Sequence, residues 1–91
     1  MLVGRHFVVS GRVQGVGFRY FVYDAALREN LSGWVRNLPN RSVEVLVEGE
    51  QEAVTRFERA LRQGPPGARV DDVRTDLTEP GGRGAGFSIR G

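Results

Sequence analysis

The residues best suited to chemistry lie in the stretch Gly11 to Arg19, which reads GRVQGVGFR. Gly15 and Gly17 lack side chains, so the backbone can adopt positive φ and an anion can approach the main-chain amides. Arg19 follows in what is expected to be the first turn of a helix, where unpaired N–H groups and the helix dipole favour phosphate. The predicted phosphate-binding residues are Gln14, Gly15, Val16, Gly17, Phe18 and Arg19.

Asn37 is a second candidate, because it falls at the end of the next predicted strand. Its side chain offers one acceptor and two donors, which suits it to holding a water molecule in line with a bound phosphorus atom. The same residue precedes Leu38-Pro39, so it could instead serve only to start a hairpin turn. Arg19 and Asn37 are the predicted catalytic residues.

The loop also has a purely structural interpretation, since a Gly-x-Gly turn between a strand and a helix is often no more than a tight turn. Two common phosphate fingerprints are absent: no Lys-Ser/Thr pair follows the glycines, and Tyr20 stands where the dinucleotide pattern has a third glycine. Against this, Arg19 meets the positive end of the helix dipole, where a cation is unfavourable. A charge placed against stability indicates a ligand.

Hydrophobic periodicity gives the elements that must position these residues. Alternating apolar side chains predict strands over residues 5–13, 33–38, 42–48, 68–77 and, as a short edge strand, 86–90. Helical spacing predicts helices over residues 18–30 and 50–63. Asn30 should end the first helix in a left-handed conformation and Gly64 the second, with an irregularity at Asp71 and Asp72 in the fourth strand.

Two helices carry further expectations. On the second helix, Glu52 with Arg56 and Glu58 with Arg62 are spaced as i,i+4 ion pairs. On the first, a second apolar stripe is expected to be ordinary packing, and it comprises Tyr20, Tyr23 and Leu27. The segment 79–86 has the composition of a flexible surface loop.

The element order β-α-β-β-α-β with a short C-terminal strand predicts an α+β fold, a ferredoxin-like two-layer sandwich in which two helices pack on a mostly antiparallel sheet. Residues 1–91 are expected to form a single domain. Each helix should run back antiparallel to its preceding strand, so strands one, two and four are expected to point the same way. Loop 14–18 and Asn37 then meet at one edge.

Composition excludes several classes of protein. There is no cysteine and only one histidine, His6, so neither a disulfide framework nor a metal cluster is expected. All 13 basic residues are arginine, but the net charge of +2 does not argue for nucleic acid. No long apolar run or signal peptide is present, which favours a cytoplasmic protein without a membrane partner.

The segments GRVQGVGFRYF, GWVRN at 33–37 and FSIR at 87–90 closely resemble the acylphosphatase family. FERALRQGPP and ARVDDV also look like that family's second helix and fourth strand, so the resemblance spans essentially the whole chain. It implies hydrolysis of the carboxyl-phosphate bond of acyl phosphates to a carboxylate and inorganic phosphate, without metal or organic cofactor. The family's phosphate-binding arginine falls on Arg19, and its water-orienting asparagine falls on Asn37. The substrate itself would help to accept the proton.

Several details follow from this resemblance. Many relatives have glycine where this sequence has Arg41, which should shift the turn chemistry onto Asn40, and Asn30 likewise replaces a common glycine. His6 begins the first strand, far from the edge where that strand ends, so a structural or surface role is expected. The partners implied are a small acyl phosphate and inorganic phosphate, which is both product and inhibitor, and a monomer is expected.

Two rival interpretations remain. A non-catalytic anion-binding or RNA-binding module of the same fold would need exposed aromatic side chains on the central strands and a basic face. Phe7 and Phe87 fall on apolar faces and are expected to belong to the core. The chain could also be a detached relative of the acylphosphatase-like domain at the front of larger carbamoyl-transfer maturation proteins. Its 91 residues without zinc-finger cysteines favour a stand-alone enzyme.

Overall fold

Strands and helices alternate along the chain in the order that the hydrophobic periodicity predicts. A computed structural model describes residues 1–81 and 86–91. Its elements are β1 (Leu2–Arg12), α1 (Phe18–Arg28), β2 (Ser32–Asn37), β3 (Val43–Glu50), α2 (Gln51–Gln63), β4 (Arg69–Thr78) and β5 (Phe87–Ile89). The sheet order is β4-β1-β3-β2-β5, and only the β2–β5 pair is parallel. The ferredoxin-like sandwich is confirmed.

One face of the sheet forms the core with the two helices. β3 places its three valines on that face, as the alternation predicts, and all are fully buried: Val43, Val45 and Val47. Each helix packs one apolar stripe against this face of the sheet, which α1 supplies from Phe18, Val22, Ala25 and Ala26 and α2 from Ala53, Val54, Phe57 and Leu61. Phe7 is 0% and Phe87 is 7% exposed, so both belong to the core as expected.

The strand directions correct one prediction. β1 and β2 both pair antiparallel with β3 and therefore run the same way. β4, however, pairs antiparallel with β1, so the expectation that it points the same way is wrong. The reason is that α2 returns the chain so that β4 runs parallel to β3, not to β1. The edge that carries the ends of β1 and β2 therefore carries the start of β4, with Arg69 opposite Arg12.

The predicted irregularity in the fourth strand is a β-bulge. Ser10 lies opposite Asp72 and Gly11 opposite Val70, which leaves Asp71 as the extra residue on β4. A bulge bends and twists its strand locally. Here it lies at the end of β1, immediately before the glycine-rich loop.

The end of α1 has the predicted left-handed residue, but the helix is shorter than predicted. The helix ends at Arg28, two residues before the predicted end, and Asn30 adopts the predicted left-handed conformation with φ of 56°. Leu31 then turns back into the core, where its N–H donates to the carbonyl of Ala26 at 2.9 Å.

Of the two ion pairs predicted on α2, one forms. Arg62 pairs with Glu58 at 2.9 Å, but the expected pair between Glu52 and Arg56 is not the one that forms. Arg56 instead donates from Nε to Glu29 at the end of α1, at 2.9 Å. A tertiary partner has displaced the local one, and it joins the two helices.

The second stripe of α1 is packed only in part. Tyr23 lies against Phe87, with ring centroids 6.3 Å apart. Tyr20 and Leu27 are 68% and 49% exposed, so ordinary packing is wrong for them. They lie on the side of α1 opposite its buried stripe, which the sheet cannot reach.

The predicted loop 79–86 lies partly outside the described residues. Glu79, Pro80 and Gly81 are exposed, and Gly81 donates its N–H to Glu48 at 2.9 Å. Neither of the described helices is long and apolar enough to cross a membrane.

Candidate active site

The loop between β1 and α1 has the backbone that its glycines predict. Gly15 and Gly17 have φ of 75° and 76°, and Gly17 is the N-cap of α1 without any side-chain cap. A Cβ at either position would meet nothing within 4 Å, so the backbone conformation rather than crowding requires glycine there. Alternating positive φ turns successive amides towards one concavity, as in anion-binding nests.

The start of α1 adds further donors to this concavity. The N–H of Phe21 donates to the carbonyl of Gly17 at 3.0 Å. The N–H groups of Phe18, Arg19 and Tyr20 precede that bond and have no acceptor within the helix. The helix dipole gives them partial positive charge, so the loop and the helix start together favour an anion.

Gln14 has a structural role that the sequence did not indicate. Its side-chain Nε2 donates to the carbonyls of Leu38 and Ser42, each at 2.9 Å. Both acceptors belong to the turn between β2 and β3. The side chain thus ties the loop to the residues that directly follow Asn37, and only the main chain of Gln14 stays available to a ligand.

A hollow of about 140 Å³, here called the cradle, brings the two predicted catalytic residues together. Its lining residues are Val13, Gly15, Gly17, Phe18, Arg19, Tyr20 and Asn37. Of the predicted loop residues, Gln14 and Val16 do not line it, and Val16 packs against the core. Val13 and Tyr20 were not predicted to belong to the site, although the apolar strand end and the aromatic residue next to Arg19 can both be read from the sequence.

The guanidinium of Arg19 forms a hydrogen bond with the C-terminal segment of the chain. Its Nη1 donates to the carbonyl of Arg90 at 2.8 Å, across 71 residues. That carbonyl is placed by β5, because the N–H of Arg90 donates to the carbonyl of Val35 on β2 at 2.8 Å. A guanidinium has five N–H donors, so the others stay available for an anion.

Asn37 carries a buried acceptor that nothing in the described chain satisfies. Its Oδ1 has no hydrogen-bond partner among residues 1–81 and 86–91. Leaving such an atom unpaired costs about 1–3 kcal/mol, so native proteins seldom retain one without a reason. Asn37 lines the cradle, and a buried acceptor of this kind suits a donor such as water.

The turn after Asn37 does not use that oxygen. The side chain of Asn40 accepts from the N–H of Ser42 at 3.0 Å, and the N–H of Arg41 donates to Leu38 at 3.1 Å. Arg41 itself has φ of 73°, so the expectation that the turn chemistry shifts onto Asn40 is wrong for the backbone. Asn40 supplies the side-chain bond, while the tight closure keeps position 41 left-handed.

His6 lies on the other face of the sheet, in a network with Glu44 and Arg36. Its Nε2 lies 2.7 Å from one carboxylate oxygen of Glu44, and Arg36 donates from Nε to the other. Burial raises the pKa of Glu44, but the hydrogen bonds from His6 and Arg36 outweigh it and hold that pKa below its ordinary value. The expected structural role of His6 is confirmed.

Titratable side chains are sparse around the cradle. Of its described lining residues, only Arg19 and Tyr20 have ionisable side chains, and neither is a carboxylate or an imidazole. Within the described ranges, no three His, Asp or Glu side chains come together as a metal-binding group. The groups that the cradle offers to a ligand are hydrogen-bond donors and the positive charge of Arg19.

Comparison with known proteins decides the family. The family model described as acylphosphatase matches residues 5–89. The chain belongs to the acylphosphatase family. An acylphosphatase of Anaeromyxobacter dehalogenans is 51% identical over 83 residues, which are 91% of this chain and 89% of that protein. The sequence resemblance is thus confirmed.

Solved acylphosphatase structures agree with this fold over nearly its full length. The acylphosphatase of Bacillus subtilis has a TM-score of 0.93 at 40% identity, and 99% of each chain is covered. The same fold occurs inside a longer protein, the HypF of T. kodakarensis, with a TM-score of 0.85 and 38% identity. That match covers 98% of this chain but 12% of the HypF chain.

Proposed function

We propose that this acylphosphatase hydrolyses the carboxyl-phosphate bond of small acyl phosphates in the cytoplasm, as a monomer with one domain over residues 1–91. Loop 14–19 holds the phosphoryl group, Arg19 binds its oxygens and Asn37 orients the attacking water. The observation that carries the proposal is the cradle, which both Arg19 and Asn37 line, together with the buried Oδ1 of Asn37, which has no partner in the described chain.

The first step is binding of the phosphoryl group. Its oxygens accept hydrogen bonds from the main-chain N–H groups of the loop and of the first turn of α1. Arg19 contributes a charged fork of donors, which stabilises the charge on the equatorial oxygens as the transition state forms. No metal or organic cofactor is needed for this step.

The second step is attack by water. Oδ1 of Asn37 accepts one hydrogen of the water molecule, which leaves an oxygen lone pair free to face phosphorus. A new bond forms between the water oxygen and phosphorus while the bond from phosphorus to the acyl oxygen breaks. The electron pair leaves with the acyl oxygen as a carboxylate.

The proton of the attacking water goes to the substrate itself. The described lining of the cradle has no carboxylate or imidazole, and His6 contacts Glu44 on the opposite face of the sheet. A carboxylate is a good leaving group, because carboxylic acids have a pKa of about 4. It departs as the anion, and a phosphoryl oxygen takes up the proton of the attacking water.

The activity test is hydrolysis of benzoyl phosphate in the presence of excess EDTA, followed by the ultraviolet absorbance of the substrate. The wild type should turn over, and Arg19→Ala should lower kcat/KM by about 10²-fold or more. Arg28→Ala is the matched control, because Arg28 is exposed at the other end of α1. Activity that appears only on adding metal would contradict the proposal, as would an Arg19→Ala variant that is as active as the control.

Inorganic phosphate probes the cradle directly. As product it should inhibit competitively, and it should shift the amide NMR signals of residues 15–20 in the wild type but not in Arg19→Ala. If phosphate changed neither KM nor those signals, loop 14–19 would not be the phosphate site.

The non-catalytic alternative is not favoured. An RNA-binding sheet needs aromatic side chains free to stack on bases. Trp34 is the aromatic residue on the open face of the described strands, and it was not among the aromatic residues considered from the sequence. The guanidinium groups of Arg36 and Arg90 lie 5.3 and 4.6 Å from the centroid of its ring, so the ring is already covered.

A further inference from the structure

A second hollow of about 520 Å³ adjoins the cradle, and we call it the arginine groove. Its lining residues are Gly11, Arg12, Val13, Gln14, Gly15 and Arg41. Val13 and Gly15 line both hollows, so the two lie next to each other at the glycine-rich loop. The acyl part of a substrate whose phosphoryl group occupies the cradle is therefore close to the groove.

The groove is positively charged. Two of its lining residues are arginines and none is acidic. Arg12 and Arg41 are both exposed, and neither forms an ion pair with any carboxylate in the described part of the chain. Other arginines do find partners, as Arg36, Arg56 and Arg62 show.

Arg12 occupies a position that destabilises the fold. It lies directly opposite Arg69 across the β1–β4 pair, and like charges at that spacing repel each other. Arg69 is compensated by Asp71, to which it donates two hydrogen bonds of 2.9 and 3.3 Å. Asp71 is the bulge residue of β4, and it pairs with Arg69 rather than with Arg12. Arg12 therefore has no carboxylate partner among the described residues.

Arg41 is likewise held in an unfavourable state. Its φ of 73° is one that a residue with a side chain rarely adopts and that glycine adopts freely. Gln14 binds the carbonyls of Leu38 and Ser42 on either side of it, which fixes the turn beside the loop. The arrangement keeps a second guanidinium at the groove.

We infer that Arg12 and Arg41 form a subsite for a carboxylate on the acyl part of the substrate. The substrate class is then acyl phosphates that carry a second anionic group at the far end of a short acyl chain. This inference rests on the proposed function, because the phosphoryl group in the cradle is what brings the acyl part to the groove.

The test compares butanoyl phosphate with succinyl phosphate, which have acyl chains of equal length and differ in the terminal carboxylate. At about 0.15 M salt, where long-range attraction is largely screened, the wild type should have the higher kcat/KM for succinyl phosphate. Arg12→Gln and Arg41→Gly should each lower that value about fivefold, mainly through KM, and leave butanoyl phosphate within about twofold. Arg59→Gln is the control of equal charge change, since Arg59 is exposed on α2 and outside both hollows.

One further variant, Arg12→Lys, and the choice of glycine at position 41 keep the test decisive. Arg12→Lys retains the charge and should keep most of the preference, whereas Arg41→Gly places glycine at a left-handed position and should fold at least as well as the wild type. Equal losses on both substrates, or a wild type without preference for succinyl phosphate, would overturn the subsite. If neither substrate were hydrolysed, the proposed function itself would fail. If butanoyl phosphate were hydrolysed and the arginine variants kept the wild-type preference for succinyl phosphate, only this inference would fail.

Discussion

Two single residues carry most of the proposed chemistry, and each is placed at a cost to the stability of the fold. Asn37 buries an acceptor without a partner, and Arg19 puts a positive charge at the positive end of a helix. An anion in the cradle reverses the second penalty, and a water molecule reverses the first. Sites of this kind trade stability for function.

The Asn37→Ala variant tests this trade. We expect kcat on benzoyl phosphate to fall about 10²-fold, because water loses its alignment with phosphorus, while KM changes little. The free energy of unfolding should stay within about 1 kcal/mol of the wild type, since the change removes an unsatisfied acceptor. Urea unfolding and steady-state kinetics measure the two effects, and near-normal kcat would remove Asn37 from the mechanism. Asn40→Ala is the contrasting control: it should lose stability with the turn bond to Ser42 but retain kcat.

At the scale of elements, three long-range contacts place the site. Gln14 ties the loop to the β2–β3 turn, and the carbonyl of Arg90 on the segment after β5 holds Arg19. On the opposite face, Glu44 of β3 joins β1 through His6 and β2 through Arg36. The strands that end at the cradle are thus linked on both sides of the sheet.

The Glu44 network predicts a pH dependence of stability. The pKa of Glu44 is lowered in the folded protein, so at pH values between that pKa and the ordinary glutamate value of about 4.3 the unfolded chain binds more protons. Stability therefore rises with pH in that window, is fully present above it and is lost as the pH falls through the folded-state pKa.

Glu44→Gln should lower the free energy of unfolding by about 1 kcal/mol at pH 7. It should also flatten part of the fall in stability that the wild type shows as the pH drops below the ordinary glutamate pKa. Urea titrations at several pH values measure this, with Glu52→Gln, an exposed change on α2, as the control. A variant with the same acid profile as the wild type would contradict the assignment.

At the scale of the whole molecule, the distribution of charge matters more than its sum. The net charge is only +2, yet the edge that carries the cradle collects four arginines: Arg12, Arg19, Arg41 and Arg69. Of these, Arg69 is paired with a carboxylate of the described chain. A concave site with such a surplus attracts anions from solution.

The charge at this edge predicts a salt effect on acyl phosphate hydrolysis. We expect kcat/KM to fall about tenfold between 0.01 M and 0.5 M potassium chloride, because salt screens the attraction of the anionic substrate. The value of kcat should change little, since the chemistry occurs inside the cradle. Steady-state kinetics over the salt series measure both, and a kcat/KM that is independent of salt would show that the edge does not attract substrate.

The sequence alone determined the elements, their order and the two catalytic candidates. Periodicity, glycine and asparagine at helix ends and the Gly-x-Gly loop depend on local φ preferences and on burial of one face, which neighbouring residues decide. That is why β2 ends within one residue of its predicted end and why Asn30 and Gly64 adopt positive φ.

Tertiary structure decided what depends on partners distant in the chain. The direction of β4, the bond from Gln14 to the turn, the partner of Arg56 and the hold of Arg90 on Arg19 all follow from strand register and helix docking. Such pairings join segments up to 71 residues apart, and no local pattern encodes which of several arginines meets which carbonyl or carboxylate. Five of the seven residues that line the cradle were predicted from the sequence, and Val13 and Tyr20 were not. Packing alone brings the seven together.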